Sequence, residues 1–467
     1  MLVAGVVAAG LAARGFAWPR AQTEPVAAAS TPAVALPDGA LPDGALAAPQ
    51  PQEPVAPAPF SVRGALRLRW RGRATNDESD QDAYASLALD GGDSARDAWT
   101  WRLDAQAIGD LDGRSAAGSG FGSIADAEGG DVRGYVYEAY AERHDAPEFA
   151  SLRVGRQTDW ETPVLVAFDG VRAVTRPGGR ARAELGGFGG ATVRQHADDV
   201  GGDPLLGLWG SWRPWRSARL RLDWLHVEDD ERFGAEQDDL LQLALGQGLG
   251  EHARVDASWS RLEGSDRDVR VRAAWSDAER DLAVLASWTR LFETQGVLAR
   301  ELDPFSDALL ELEPYWEGRV TVSKGFGTRW RASAGAELRR LVDDGDEGLY
   351  NHEYERVWAT TTLARLPFEL ELALTGERWD GGGDGVDTWG ADLSRRFDDG
   401  AQLSIGTAYA LYRLDLFQLE EREDVRTWFA RWREKRGAGW SWDLGYEYED
   451  DPGQDLQTLR VGGTWTF

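Results

Sequence analysis

The sequence contains no cysteine, and its single methionine is the first residue. The absence of cysteine excludes disulfide frameworks and cysteine-ligated metal sites, but it is compatible with any cellular compartment. Lysine is almost missing too, because Lys324 and Lys435 are the only examples, so arginine carries nearly all the positive charge. The formal net charge is −28. This acidity argues against a nucleic-acid partner, since nucleic-acid binders show a basic domain.

Long apolar runs are also absent after the N-terminus, and the mean hydropathy of −0.45 argues against a helical membrane protein. The segment LVAGVVAAGLAA, residues 2–13, has the length of a signal-peptide core, although no lysine or arginine precedes it. We therefore expect a signal peptide over residues 1–22 and export of the chain. Residues 23–59 consist mainly of alanine, proline and acidic residues, which predicts a disordered linker. A proline-rich docking segment is the alternative interpretation of this stretch.

A strict alternation begins at residue 60 with FSVRGALRLRWRGRA, in which arginines occupy odd positions and apolar residues even positions. Two residues is the side-chain period of a β-strand, so the arginines share one face and the apolar side chains share the other. The pattern recurs to the last residue in 22 segments. Their connections alternate between short turns such as RPGG and mostly longer, acidic, glycine-rich segments such as residues 109–131, 227–239, 292–314, 342–351 and 414–424.

These features predict an all-β fold: a single antiparallel transmembrane β-barrel over residues 60–467, with short periplasmic turns and longer acidic outer loops. A secreted soluble all-β protein is the alternative, but its strands average about 5–6 residues and its polar face carries fewer charges. Tryptophan and tyrosine near the strand ends match the aromatic girdles of membrane barrels. A plug-containing receptor barrel is excluded on length, because residues 23–59 are too few for a folded plug.

The chain ends on LQTLRVGGTWTF, a strand pattern that closes with Trp465 and Phe467. An aromatic last residue that continues the apolar face of the final strand is similar to the C-terminal signature of bacterial outer-membrane proteins, which the barrel-assembly machinery recognises. We therefore expect the outer membrane of a Gram-negative-type bacterium as the location, with lipid and lipopolysaccharide as surroundings.

The segment LRVGRQTDWETPVLVAFDGVRAV, residues 152–174, resembles the GRQ…FDG(V/A)R signature of alginate-export and related porin-like barrels. The preceding YVYEAYAE, residues 135–142, resembles the strand before that motif. The resemblance implies a barrel of about 18 strands, against the 22 counted from the pattern. It also implies an arginine-lined pore for an anionic polysaccharide. The matching positions are Gly155, Arg156, Gln157, Phe168, Asp169, Gly170, Val171 and Arg172.

The alternation assigns charged side chains to the lumen, because an arginine facing lipid at the bilayer midplane costs about 2–4 kcal/mol. Within the lumen these side chains either contact solutes or pair with each other and brace the wall, and bracing is the expected role of most of them. The inward basic residues are predicted to be Arg63, Arg67, Arg69, Arg71, Arg102, Arg153, Arg172, Arg180, Arg182, Arg219, Arg221, Arg254, Arg270, Arg272, Arg331 and Arg460. The inward acidic residues are predicted to be Glu138, Glu142, Glu184, Asp256, Glu337, Glu369, Glu371 and Glu447.

The favoured function is a channel for anionic or polar solutes, most similar to an alginate-export porin, and a general diffusion porin is the alternative. No catalytic role is expected, because none of the five histidines belongs to a hydrolase motif. No cofactor is expected, although His196 beside Asp198 and Asp199 permits an unspecific metal contact. The carboxylate-rich outer loops could hold divalent cations, because carboxylate oxygens are the ligands that hard cations accept.

Overall fold

The alternating segments form 22 strands in the computed structural model, and each strand pairs antiparallel with the next. The structure describes residues 60–112, 121, 132–178, 182–193, 202–229, 236–292, 313–342, 353–381, 386–415, 420–437, 439–450, 452–453 and 455–467. The predicted signal peptide and linker, residues 1–59, lie outside these ranges. Pairing of the first strand with the last closes the barrel. The 22-strand prediction is therefore confirmed, and the smaller number implied by the family resemblance does not apply.

The strands are β1 (Val62–Ala74), β2 (Ser79–Gly91), β3 (Trp99–Asp110), β4 (Val132–His144), β5 (Phe149–Asp159), β6 (Val166–Thr175), β7 (Glu184–Thr192), β8 (Pro204–Trp212), β9 (Ala218–Asp229), β10 (Glu236–Leu249), β11 (Ala253–Leu262), β12 (Ser265–Asp277), β13 (Leu282–Leu291), β14 (Tyr315–Phe326), β15 (Trp330–Leu341), β16 (Tyr354–Leu366), β17 (Leu370–Asp380), β18 (Val386–Arg396), β19 (Gln402–Asp415), β20 (Glu420–Arg436), β21 (Trp440–Asp450) and β22 (Asp455–Thr466). One turn of 3-10 helix, Pro367–Glu369, follows β16. Among the described residues, no helix is long and apolar enough to cross a membrane.

The two faces of the wall differ as the alternation predicts. Leu68, on the apolar face of β1, is 54% exposed, whereas Asp82, on the charged face of β2, is 0% exposed. Closing a sheet crowds the side chains on its concave side and separates those on its convex side. The charged face is therefore the inner face of the barrel, and the apolar face is the outer one.

The two ends of the barrel differ in their connections. At one end, where β1 begins and β22 ends, all connections are short, and we call it the short-connection end. Its connections are residues 92–98, 145–148, 176–183, 213–217, 250–252, 278–281, 327–329, 367–369, 397–401 and 437–439. The other, the long-connection end, includes residues 111–131 and 292–314. Two of the predicted long loops are mostly strand, because β9 and β10 leave only residues 230–235 between them, and β19 and β20 leave 416–419. The long strand β20 thus extends the wall where a loop was expected.

The barrel closes at the short-connection end on an aromatic cluster. The backbone N–H of Phe467 donates to the carbonyl oxygen of Gly64 at 3.0 Å, and the Gly64 N–H donates back at 2.8 Å. The Trp465 ring lies 4.6 Å from the Phe467 ring and 5.7 Å from that of Trp440. These rings are partly exposed on the outer face. They form an aromatic patch where the first and last strands meet.

Candidate functional site in the barrel lumen

The arginine stripe of β1 lies on the inner face, and its two halves have different surroundings. Toward the long-connection end, Arg71 and Arg73 face Asp82 and Asp80 in register on β2. Toward the short-connection end, Arg63 and Arg67 are exposed and make no ion pair or hydrogen bond with the described residues. One half of the stripe is therefore built into the wall, and the other half presents guanidinium groups to the lumen.

The buried half of the stripe is a compact charge network. Arg71 Nη2 lies 2.5 Å from Asp82 Oδ2, and Arg73 Nη2 lies 2.6 Å from Asp80 Oδ2 and 3.6 Å from Asp82 Oδ2. Both carboxylates are at most 1% exposed. Arg73 also donates to the backbone carbonyl of Phe121, and its guanidinium lies 5.1 Å from the Phe121 ring. Phe121 is buried, so this residue of the 111–131 connection contacts the inner wall.

Three further predicted lumen arginines are paired with carboxylates. Arg102 Nε lies 2.5 Å from Glu138, and Arg102 also contacts Asp90 at 3.1 Å. Arg153 Nη2 lies 2.8 Å from Glu142, and Arg254 Nη2 lies 2.7 Å from Asp256. The exposed Arg254–Asp256 pair contributes about 0–1 kcal/mol, as exposed pairs do, and all three pairs fix side-chain positions along the wall.

Two predicted lumen residues do not lie on strands. Arg182 falls in the 176–183 connection with φ 48°, and Glu369 ends the 3-10 turn with φ 58°. The prediction for these two residues is wrong because the chain reverses in both turns, where the period of two no longer assigns a face. Glu371 lies on the inner face of β17, in register with Ser394. Arg180 lies outside the described residues.

Basic and acidic side chains of the inner wall differ in exposure. Near the short-connection end, the exposed inner-face arginines are Arg63, Arg67, Arg219, Arg254, Arg272, Arg331, Arg396 and Arg433. The carboxylates that the strands place on the inner face are buried or half-buried, and the buried set is Asp80, Asp82, Glu142, Asp159, Asp223, Asp268, Glu337 and Glu449. The inner face therefore presents mainly guanidinium groups to solvent, even though the whole chain is strongly acidic.

The hairpin formed by β5 and β6 folds into the lumen. In the strand register Asp159 lies opposite Val166, and Arg153 lies opposite Arg172, which separates Asp159 from Arg172 by six positions. In a flat sheet that separation is about 20 Å, at about 3.3 Å per residue. Arg172 Nε nevertheless donates to Asp159 Oδ2 at 2.9 Å. The sheet must bend toward its inner face between these two residues. Residues 156–169, beyond the bend, are called the flap below.

A row of paired glycines forms the bend. Gly155 lies opposite Gly170, and Gly170 lies opposite Gly190 on β7. Gly155 has φ 124°, and a Cβ added there would lie 2.3 Å from the carbonyl oxygen of Ala139. A Cβ at Gly170 would lie 2.1 Å from the carbonyl oxygen of Gly189. Only glycine permits this backbone conformation and this close approach of adjacent strands.

Apolar packing holds the flap against the inner wall. Val166 and Phe168 of the flap are 0% exposed and cluster with wall residues of β7–β10, namely Phe188, Leu205, Leu225, Val227 and Leu240. The rings of Phe168 and Phe188 lie 4.9 Å apart. Burial of a side chain of this size contributes about 1.5–3 kcal/mol, so these two flap residues favour the folded-in position.

Polar contacts attach the tip of the flap to more distant strands. Glu161, in the 160–165 connection, accepts a hydrogen bond from Arg221 Nη1 of β9 at 2.9 Å and lies 3.7 Å from Arg172. Asp159 Oδ1 accepts from the backbone N–H of Glu161 at 2.8 Å. A segment that leaves β5 and reaches β9 crosses the inner side of the strands between them.

The residues of the GRQ…FDG(V/A)R signature build this flap. Gly155 and Gly170 form the bend, and the buried Gln157 donates its side-chain amide to the carbonyl oxygens of both glycines, at 3.3 and 3.2 Å. Arg156 pairs with Asp169 through two bonds, of 2.9 and 2.7 Å, on the opposite face of the flap. Because the flap folds inward, that face is turned away from the surrounding membrane. The signature thus has a structural role here, which its residues alone do not indicate.

No candidate metal site is found in the part of the chain that the structure describes, where no three or more histidine or carboxylate residues are grouped to hold an ion. The loop segment with His196, Asp198 and Asp199 lies outside that part, as do residues 343–350 of the acidic loop between β15 and β16.

No family model and no curated protein matches this chain. Among solved structures, a chain of the E. coli P pilus tip assembly intermediate PapC-PapD-PapK-PapG aligns with a TM-score of 0.52 at 12% identity, over 87% of this chain and 60% of that chain. The P pilus usher (PapC) translocation pore aligns with a TM-score of 0.48 at 9% identity, over 87% and 99% of the two chains. Pseudomonas aeruginosa OccK3 aligns with a TM-score of 0.40 at 11% identity, over 87% and 95%. At these identities the likeness extends to the barrel fold and no further.

Proposed function

We propose that this chain is an outer-membrane channel that passes anionic or polar solutes. The observation that carries the proposal is the unequal exposure of charges on the inner face, where a set of arginines is exposed to the lumen and the carboxylates are buried or half-buried. An apolar, aromatic-rich outer face on a closed barrel supports a membrane location, because closure leaves no unpaired strand edge to meet lipid. Exposed guanidinium groups around a water-filled lumen favour the entry of anions.

An anionic saccharide is the substrate class that we favour within this function, in line with the resemblance to alginate-export barrels. Arg63 and Arg67 are exposed on the inner face of β1 and make no ion pair or hydrogen bond with the described residues. The planar fork of a guanidinium group matches a carboxylate in bidentate geometry, so these two arginines could bind the carboxylates of a uronate.

A general diffusion porin is the second candidate, and a specific observation favours it. Asp90 and Asp256 are 46% and 44% exposed on the inner face, so the lumen is not uniformly basic. A wall of mixed charge selects hydrated polar solutes without binding one class tightly. The two candidates differ in whether an oligomeric uronate blocks the pore.

The proposal also covers the parts of the barrel that would contact the membrane and the assembly machinery. Phe467 and Trp465 are proposed to form the signal that the barrel-assembly machinery reads, and the aromatic patch at the short-connection end is proposed to face the periplasmic interface of the membrane. Carboxylates at the long-connection end are proposed to reach lipopolysaccharide phosphates through divalent cations.

Single-channel recording in planar bilayers tests the function. We expect an anion-selective reversal potential that oligouronates shift by blocking current. Replacing Arg63 and Arg67, the two exposed arginines of β1 without a partner among the described residues, with glutamine should reduce the anion preference. The reduction should be strongest at low salt, where the Debye length is about 30 Å at 0.01 M. Arg340→Gln is the matched control, because Arg340 lies on the outer face beside Glu355. A cation-selective wild-type pore would contradict the proposal.

A further inference from the structure

We propose that the flap, residues 156–169, is the gate of this channel, and that the bond between Glu161 and Arg221 is its latch. The inference rests on the proposed channel function and adds to it the element that restricts flow. Its basis is the bend at Gly155 and Gly170, which places half of a wall hairpin inside the lumen.

The contacts of the flap show why it restricts the channel. Its tip bonds to Arg221 on β9, while its base belongs to β5 and β6. The flap therefore covers the inner wall of the intervening strands and removes that part of the cross-section from the path of a solute. Trp160 and Leu165, beside the tip, are 75% and 44% exposed, so both side chains remain accessible to solvent and to a passing solute.

Three kinds of contact hold the gate closed, and they differ in how a solute can affect them. Backbone pairing joins the β6 side of the flap to β7, where the Val193 N–H donates to the carbonyl oxygen of Ala167 at 2.8 Å. Val166 and Phe168 are buried in the apolar cluster and are inaccessible to an ion. Glu161 is 52% exposed, and a single carboxylate contacts both Arg221 and Arg172. An anionic solute carries the same chemical group as Glu161, so it can displace this exposed carboxylate from Arg221 and weaken the latch, while the buried Asp159 and Asp223 keep their bonds to Arg172 and Arg221.

Latch variants give the first test. Glu161→Gln removes the charge, and Glu161→Arg places a third guanidinium beside Arg172 and Arg221. We expect both variants to show a larger conductance level that wild type visits rarely, with a longer dwell time for Glu161→Arg than for Glu161→Gln. Glu355→Gln is the control, because it breaks an arginine–carboxylate pair on the outer face. Latch variants with the conductance levels and dwell times of wild type would overturn the gate.

A cross-linking measurement tests the flap position without relying on current. Because the chain has no cysteine, Glu161→Cys with Arg221→Cys introduces the only two thiols. A short bifunctional thiol reagent should join them within one barrel, and the joined protein should lose the large-conductance level. The control pair Glu161→Cys with Arg331→Cys, on the wall of β15, should not be joined by the same reagent.

The outcomes of these experiments distinguish a failure of the gate proposal from a failure of the proposed channel function. A barrel that cross-links as expected but conducts no ions refutes the channel function. A conducting barrel whose latch pair does not cross-link, although each thiol alone is reactive, refutes the gate and leaves the channel function standing. A cross-linked pair that keeps the large-conductance level also refutes the gate.

Discussion

Asp82→Asn should destabilise the barrel strongly, because it removes one charge from the buried network on β1 and β2. Asp82 is 0% exposed, and its Oδ2 accepts from Arg71 Nε at 3.1 Å and from Tyr84 Oη at 3.2 Å. Asparagine has the same shape, so the substitution removes charge without opening a cavity. Arg71 and Arg73 would then share Asp80 as their remaining carboxylate in this network. Breaking a buried ion pair from one side costs about 3–5 kcal/mol, which is the expected loss in free energy of unfolding.

Asp90→Asn is the matched control, because Asp90 lies on the same face of the same strand and also pairs with an arginine. Its side chain is 46% exposed and lies 3.1 Å from Arg102, so its loss should cost about 0–1 kcal/mol. The measurement is urea-induced unfolding of the refolded barrel in lipid or detergent, followed by tryptophan fluorescence, with heat-modifiable gel mobility as a second reading. If Asp82→Asn cost no more than Asp90→Asn, the network would not be a buried charge cluster, and the reasoning would be refuted.

Three further predictions concern the location, assembly and outer end of the protein. Wild type should fractionate with the outer membrane and show heat-modifiable mobility; recovery from the periplasm without detergent would contradict the membrane location. Phe467→Ala should lower the amount of assembled, heat-modifiable barrel without lowering synthesis, because it removes the ring that packs on Trp465 where the first and last strands meet. Phe60→Ala serves as the control, and equal assembly of the two variants would argue against a C-terminal assembly signal. Chelation of divalent cations should increase protease cleavage at the long-connection end if carboxylates there are bridged to phosphates, whereas unchanged cleavage would count against the bridges.

The channel proposal explains why the wall carries so many ion pairs and still leaves arginines exposed. Arg71, Arg153 and Arg172 each bond to a carboxylate on their own or an adjacent strand, so their charges are already balanced. Arg63 and Arg67 have no such partner among the described residues. Solute selection therefore depends on a subset of the arginines, and the remainder fix the shape of the wall.

The strands and their two faces follow directly from the amino-acid sequence. Alternation is a local property, because successive side chains of an extended chain point to opposite sides whatever the rest of the protein does. The pattern in residues 60–74 was enough to predict that Arg67 and Leu68 face opposite sides of a wall. The rule fails for Arg182 and Glu369, because both lie in turns, where the chain direction reverses.

The flap and the exposure of individual charges depend on contacts between strands that are far apart in the chain. Signals of the flap were present in the glycine-rich β7 segment GGFGG, residues 186–190, and in the inward apolar residues Leu225 and Val227, but neither shows which way a sheet bends. The contact between Glu161 and Arg221 joins parts of the chain that are 60 positions apart. It forms because the bend at Gly155 and Gly170 carries one hairpin across its neighbours, and a bend of a whole sheet is a property of several strands packed together.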